Sequence, residues 1–164
     1  MTVSAPIQAT IREQLGGEDV DVSVSHGMTV LDLPPARLLA TVRRLKEELG
    51  FDLFLDVTAV DWPQREPRFD VVYHFYSTAQ RVRVRVRTRV TEAEPAVDTL
   101  TGLYGSARYM ERECHEMYGI DFRGNFDLRP ILLYEGFVGH PLRKDYPKRR
   151  EQWLIPERKP EPAS

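Results

Sequence analysis

Between Arg81 and Val90 the chain alternates almost without exception. Val82, Val84, Val86, Thr88 and Val90 interleave with Arg81, Arg83, Arg85, Arg87 and Arg89. A strict period of two over this length demands a β-strand with one buried face and one charged face. The chain must therefore build a sheet and cover one side of it.

The flanking segments supply that sheet. Phe69 to Tyr76 is aromatic and β-branched, and the short turn Ser77–Gln80 predicts a hairpin with the arginine strand. Leu53 to Val60 is mixed apolar, with Asp56 and Asp61 as its charges, and Trp62 to Pro67 reads as a loop. Val20, Val22 and Val24 alternate with Asp21 and Ser23 as a short strand would.

Helices are predicted between these strands. Ile7 to Leu15 is short and stops at Gly16–Gly17. Pro35 to Leu49 places Leu38, Leu39, Val42, Leu45 and Leu49 on one face, with Pro35 in the first turn and Gly50 as the stop. Glu47 and Glu48 stand at its unfavourable end, a small penalty beside that leucine face. Ala96 to Leu103 is expected as a compact helix. Ala107 to Tyr118 is expected as another, capped by Ser106 and ended by Gly119. The fold class is α+β. A mixed or antiparallel four-stranded sheet, covered by the Pro35–Leu49 and Ala107–Tyr118 helices, occupies residues 1–119. A long irregular C-terminal extension, residues 120–164, follows. Pro130, Pro141 and Pro147 break it, and Gly124, Gly136 and Gly139 loosen it. Lys148 to Ser164, charged and proline-bearing, is expected to order only against a partner.

Composition narrows the function. Net charge is −2, which makes no electrostatic case for nucleic acid. The single cysteine, Cys114, forbids an intrachain disulfide and cannot hold an iron–sulfur cluster. The opening MTVSAPIQATIREQLGG lacks a signal peptide's basic end and apolar stretch. No stretch approaches the roughly 20 apolar residues that span a bilayer, so membrane association is expected to run through a partner.

Catalytic chemistry finds little support. Glu111 and His115 share a helix face at i and i+4, as a metal pair could, but no second Cys or His cluster lies within chelating spacing. Cys114 fits better with Met110, Met117 and Tyr118 as a buried helix stripe. Arg112 and Glu116 read as an ordinary i,i+4 pair. Cys114 and His115 diverge on a helix and cannot act as nucleophile and base. The serines lack an elbow context, and neither GxGxxG nor GxxxxGK[ST] occurs. The residues point to binding or scaffolding. The arginine face is expected to be a solvated sheet face partly paired with acids, or a surface for a protein partner; an RNA surface is the third reading, weakened because aromatics interleave with arginine on neither face of the strand.

The segment from Glu111 to Pro147 carries the strongest pattern. It holds Glu111–Arg112–Glu113, Tyr118–Gly119–Ile120, Phe122, Gly124, Asp127–Leu128–Arg129, Ile131–Leu132, Glu135, Gly139–His140–Pro141–Leu142–Arg143–Lys144–Asp145 and Tyr146–Pro147. These spacings closely resemble the signature of the C subunit of respiratory complex I, the proton-pumping NADH:quinone oxidoreductase. Asp56–Asp61 and Phe69–His74 also resemble the family's sheet, so the likeness runs from about Leu33 to Pro147. The chain departs from the family at Asn125–Phe126, where His-Pro is usual. It departs again at Tyr134–Phe137, where Pro-Glu-Asp-Trp is common. Tyr104 or Tyr109 stands for a tryptophan common before the Glu111 helix.

The resemblance implies a cofactor-free subunit of the peripheral arm, on the cytoplasmic face of the membrane. FMN, the iron–sulfur clusters and quinone would lie in partner subunits. It implies packing against the D subunit, which forms the quinone pocket, and near the cluster-bearing B and I subunits. Subunits of membrane-bound hydrogenases and other quinone-linked donor complexes are similar. Glu111, Arg112, Glu113, Asp127, Arg129, Arg143, Lys144, Asp145 and Tyr146 are the expected partner-docking residues. Either they pair across subunits, or some tie the extension to its own domain.

Overall fold

The structure is a computed structural model and describes residues 5–17 and 19–149. The expected behaviour of Lys148–Ser164 falls, beyond Arg149, outside the described residues. Helix α1 is Ala5–Leu15, followed by strands β1 (Asp21–Ser25) and β2 (Met28–Asp32). A 3₁₀ turn, Pro35–Arg37, leads into α2 (Leu38–Glu47). Strands β3 (Leu53–Asp61), β4 (Phe69–Ser77) and β5 (Val82–Val90) come next, then β6 (Ala96–Asp98), α3 (Ala107–Tyr118) and β7 (Asp121–Arg123).

The main sheet has five strands in the order β1-β2-β5-β4-β3. All neighbours are antiparallel except β2 and β5, which run parallel. The expected hairpin is there, pairing Phe69 with Val90 through to Ser77 with Val82. The fifth strand, β2, was not among the expected four. It returns from β1 through His26 and Gly27, both with positive φ (51° and 74°), so a two-residue turn sets the register Ser25↔Met28.

Val84, Val86, Phe69, Val71, Tyr73, Phe75, Val57 and Ala59 form the buried face. The helices cover it with Ile11, Leu38, Val42, Leu45, Ala107 and Cys114, all in the same core cluster. The opposite face carries Arg83, Arg85, Arg87 and Arg89. At the end of α2, Glu48 meets Arg44 at 3.0 Å, which offsets its unfavourable place on the dipole.

Two expectations fail here. Ala96–Leu103 is no helix: Ala96–Asp98 pairs in parallel with Asp121–Arg123, and turns follow. Val97 gains a fully buried place opposite Phe122, and Glu111 takes the Leu100 N–H that a helix would have used. Tertiary partners outweigh a weak local propensity. Ser106 has helical dihedrals and makes no side-chain cap. Regular structure also continues past Gly119, because Ile120 and Phe122 are core residues.

Candidate partner interface

The polar residues of α3 face three successive parts of the chain. Glu111 has 0% exposure. Its carboxylate accepts from the Thr99 hydroxyl at 2.6 Å, the Leu100 N–H at 2.7 Å and the Asn125 amide at 2.9 Å. Burial pushes its carboxyl up, and these three donors pull it back. One residue on, Arg112 donates to the carbonyls of Arg129 and Pro130 at 2.8 and 2.9 Å. Glu116 accepts from the consecutive N–H groups of Ile131, Leu132 and Leu133. Three aligned amides around one carboxylate form an anion nest. Arg112 and Glu116 are therefore not an i,i+4 pair; each holds a different stretch of the extension.

Asp127 is the next fixed point. Arg129 meets it at 2.8 Å, Arg108 at 3.2 Å and Arg112 at 3.8 Å. The bond from Arg129 and then that from Arg108 hold its carboxyl well below the usual range, against partial desolvation.

The end of α3 is sealed by the Gly139–Asp145 segment. Gly119 sits at φ 72° and closes the helix onto His115 O. The Glu116 carbonyl then meets His140 Nδ1 at 2.9 Å. The Met117 carbonyl accepts from the Leu142 N–H at 3.2 Å, and the Tyr118 carbonyl from Arg143 Nε at 2.6 Å. The last carbonyls of a helix need such donors, and a guanidinium there also suits the dipole. A Cβ on Gly119 would lie 2.6 Å from both Arg143 and His140, so only glycine admits this close approach.

Beyond the helix the segment reaches the sheet. The Lys144 N–H donates to Asp61 at 2.7 Å. Asp61 is gripped by Arg68 through Nε at 2.8 Å and Nη2 at 2.9 Å. Arg68 also meets Asp145 at 3.1 Å and Glu92 at 2.6 Å. The guanidiniums of Arg68 and Arg143 each lie 5.0 Å from the Phe69 ring centre. Arg68 first, then the Lys144 N–H and the Arg143 charge, hold the Asp61 carboxyl below its ordinary value, against burial.

Most expected docking residues thus meet their own domain. Glu111, Arg112, Asp127, Arg129, Arg143, Lys144 and Asp145 are brought into one clasp, and Tyr146 stacks on Phe137 at 6.1 Å. Glu113 is exposed. Asp61, Arg68, Glu116 and His140 are members that the sequence reading missed. Asp61 did carry a signal: it shares the inward parity of Val57 and Ala59 on β3, where a lone charge requires a buried partner.

Outward, the clasp presents large apolar side chains beside exposed charges at Arg129, Glu135, Lys144 and Asp145. Phe126, Ile131, Leu132, Tyr134, Val138 and Leu142 are exposed, six of the eleven such large side chains among the described residues. They crowd into seventeen positions, and Phe126 is the most exposed of all at 77%. Arg108 lies 4.5 Å from the centre of its ring. Among the described residues no three of His, Cys, Asp or Glu gather around a possible ion. Cys114 is buried, which pushes its thiol up and away from reactivity. Glu111 and His115 do not converge, because His115 Nδ1 meets the Ile120 carbonyl at 2.8 Å.

The family described as "Respiratory-chain NADH dehydrogenase, 30 Kd subunit" matches residues 31–152. The chain belongs to that family. The match takes in α2, strands β3 to β5, α3 and the clasp, and leaves β1 and most of β2 outside. Among curated members, the NADH-quinone oxidoreductase C subunit of Agrobacterium fabrum (strain C58) is 43% identical over 143 residues, 86% of this chain and 71% of that protein. The corresponding protein of Geotalea uraniireducens (strain Rf4) is 40% identical over 137 residues, 84% of each chain. Solved structures share the fold. A trypsin-resistant fragment (1–134) of Nqo5 superposes with a TM-score of 0.65 at 28% identity, covering 75% of this chain and 97% of the fragment. A chain of an archaeal membrane-bound sulfane sulfur reductase superposes at 0.76 with 26% identity, covering 88% and 85%. No helix among the described residues is long and apolar enough to cross a membrane.

Proposed function

We propose that the chain is a non-catalytic, cofactor-free subunit of the peripheral arm of a proton-translocating NADH:quinone oxidoreductase. It supports the passage of electrons from NADH through iron–sulfur clusters to quinone by keeping the subunits that hold those centres in register. FMN, the clusters and quinone reside in its partners. Those partners are the D subunit at the quinone pocket, the cluster-bearing B and I subunits, and other arm subunits. The chain sits at the cytoplasmic face, held peripherally through the complex, and residues 120–164 wrap its neighbours.

The observation that carries this reading is the apolar ridge on the clasp. Exposed side chains at Phe126, Leu132, Val138 and Leu142 lie in a segment fixed from beneath by buried or half-buried charges. A patch of this kind on a rigid support marks a protein interface. Because its support is internal, the ridge keeps its shape before any partner arrives, which lowers the ordering cost of docking.

The test is removal of the chain from its host. Native gels of the membranes should then lose the intact peripheral arm, and NADH:quinone activity should fall with it. The purified chain should carry no flavin or iron–sulfur absorption. An arm that assembles and turns over without the chain would end this reading. The sulfane sulfur reductase likeness favours a second one, a homologous subunit of a complex with another donor. Intact NADH:quinone activity alongside loss of a sulfur-reducing or hydrogenase activity would select it.

A further inference from the structure

The arginine face of β5 divides into two halves. At one end Arg87 is bound by Asp32, with its Nη2 at 2.7 Å from the carboxylate. Arg89 lies 3.4 Å from both Asp32 and Asp70. At the other end, among the described residues, neither Arg83 nor Arg85 has a carboxylate within ion-pair distance. Arg83 is exposed. Arg85 donates to His74 Nε2 at 2.9 Å, a neutral acceptor that leaves its charge uncompensated. Burial first, and the Arg85 charge next, keep the His74 imidazole below its usual value, consistent with that acceptor role.

We propose that Arg83 and Arg85, with Tyr76 and Leu53 beside them, form a second docking surface that takes an acidic segment of a neighbouring subunit. This rests on the subunit role proposed above. The surface lies on the sheet face turned away from the helices, so the clasp and this surface contact the assembly on different sides.

Charge complementarity selects the occupant. Two guanidiniums at i and i+2 on one strand face stand about 7 Å apart, a spacing that two carboxylates of an extended segment can match. Tyr76 opposes Arg83 and Leu53 across the strands, and Leu53 is 44% exposed, so apolar area adjoins the charges. A long polyanion fits poorly. Moving along the same strand it would meet Asp32 and Asp70, and the chain as a whole carries a net charge of −2. A short acidic stretch meets the unpaired end, where Asp56, opposite His74 on the neighbouring strand, stands one strand further from Arg85 and outside ion-pair distance of it.

The experiment uses the full chain in its host complex, with Arg83→Glu and Arg85→Glu combined. Washed membranes are titrated with sodium chloride, and release of the chain is followed by immunoblot. Circular dichroism of the purified variant confirms folding. The paired reversal is expected to weaken retention about tenfold, with release at lower salt than wild type. Retention identical to wild type across the salt range overturns the proposal. Binding of the wild-type chain to phosphatidylglycerol vesicles, lost in the variant, also overturns it by making lipid the occupant. If the wild-type chain never remains with the complex, the subunit role itself fails, a result distinct from either.

Discussion

Asp61 and Arg68 face each other across the end of the β3–β4 loop with two parallel bonds, and their side chains are 0% and 6% exposed. Neither charge could sit there alone. Asp61 also receives the Lys144 N–H, and Arg68 also meets Asp145, so this pair is where the sheet and the C-terminal segment are joined. Arg68→Ala leaves a buried carboxylate without its counter-ion, which costs about 3–5 kcal/mol. For a chain of this size the melting temperature should fall by roughly 10 °C. Calorimetry of the purified chain checks it, and a loss below about 1 kcal/mol would mean the pair is far more hydrated than its exposure shows.

The same carboxylate sets an acid limit. The Asp61 carboxyl is depressed in the folded chain, so its stabilising effect is fully present above the unfolded value of about 3.9 and is lost as pH falls from there through the lower folded value. Asp127 acts with the same sign, held down by Arg129 and Arg108. Glu111 acts with the opposite sign: burial raises its carboxyl, so protonation relieves a cost and softens the fall. Melting temperatures followed from about pH 6 to about pH 2.5 should drop most steeply below about pH 4. Asp61→Asn should be less stable at neutral pH and should show a shallower drop in acid.

How much of this was legible in the sequence depends on the range of the interaction that decides each element. Alternation along Arg81–Val90 and the leucine face of Pro35–Leu49 are local patterns; the strand formed as Val82–Val90, and the helix formed as a 3₁₀ turn and then Leu38–Glu47. The β6–β7 pair was not legible, because two three-residue strands exist only through each other, Val97 opposite Phe122. The clasp residues were recognisable as a signature, but their roles were not. Arg112 and Glu116 stand at the spacing of a helical ion pair, and nothing local reveals that each reaches a backbone stretch some fifteen residues away.

Glu116 offers a direct test of the clasp. Its carboxylate holds three consecutive amides, and hydrogen bonds to a charged group contribute about 1.5–3 kcal/mol each when broken singly. Glu116→Ala should release residues 131–133 while the sheet stays folded. Hydrogen exchange should then rise locally at those amides, and chymotrypsin should cut after Leu132 or Leu133 faster than in wild type. Protection unchanged at those three amides would show that the nest does not hold the segment.

The outward ridge should behave differently from its supports. Leu132 is 63% exposed, so Leu132→Asp should shift folding stability by no more than about 0.5 kcal/mol. At a docked interface the same change buries a charge in an apolar contact, and assembly should suffer by about 2 kcal/mol or more. Native gels and NADH:quinone activity of membranes carrying the variant read that loss, and normal assembly would place the interface elsewhere.

A last outcome concerns the core. Tyr73 of β4 is fully buried, and among the described residues its hydroxyl has no hydrogen-bond partner. Its ring stacks on Phe75 at 6.4 Å and lies 6.3 Å from Phe54, so the aromatic body carries the packing and the hydroxyl adds only a desolvation cost. Tyr73→Phe keeps the ring and removes that cost. The chain should become more stable by about 1 kcal/mol, read as a higher urea midpoint at unchanged slope. A drop of similar size would mean that a buried water bridges the hydroxyl to the nearby polar groups of α3, and the ring would then serve that network as well as the core.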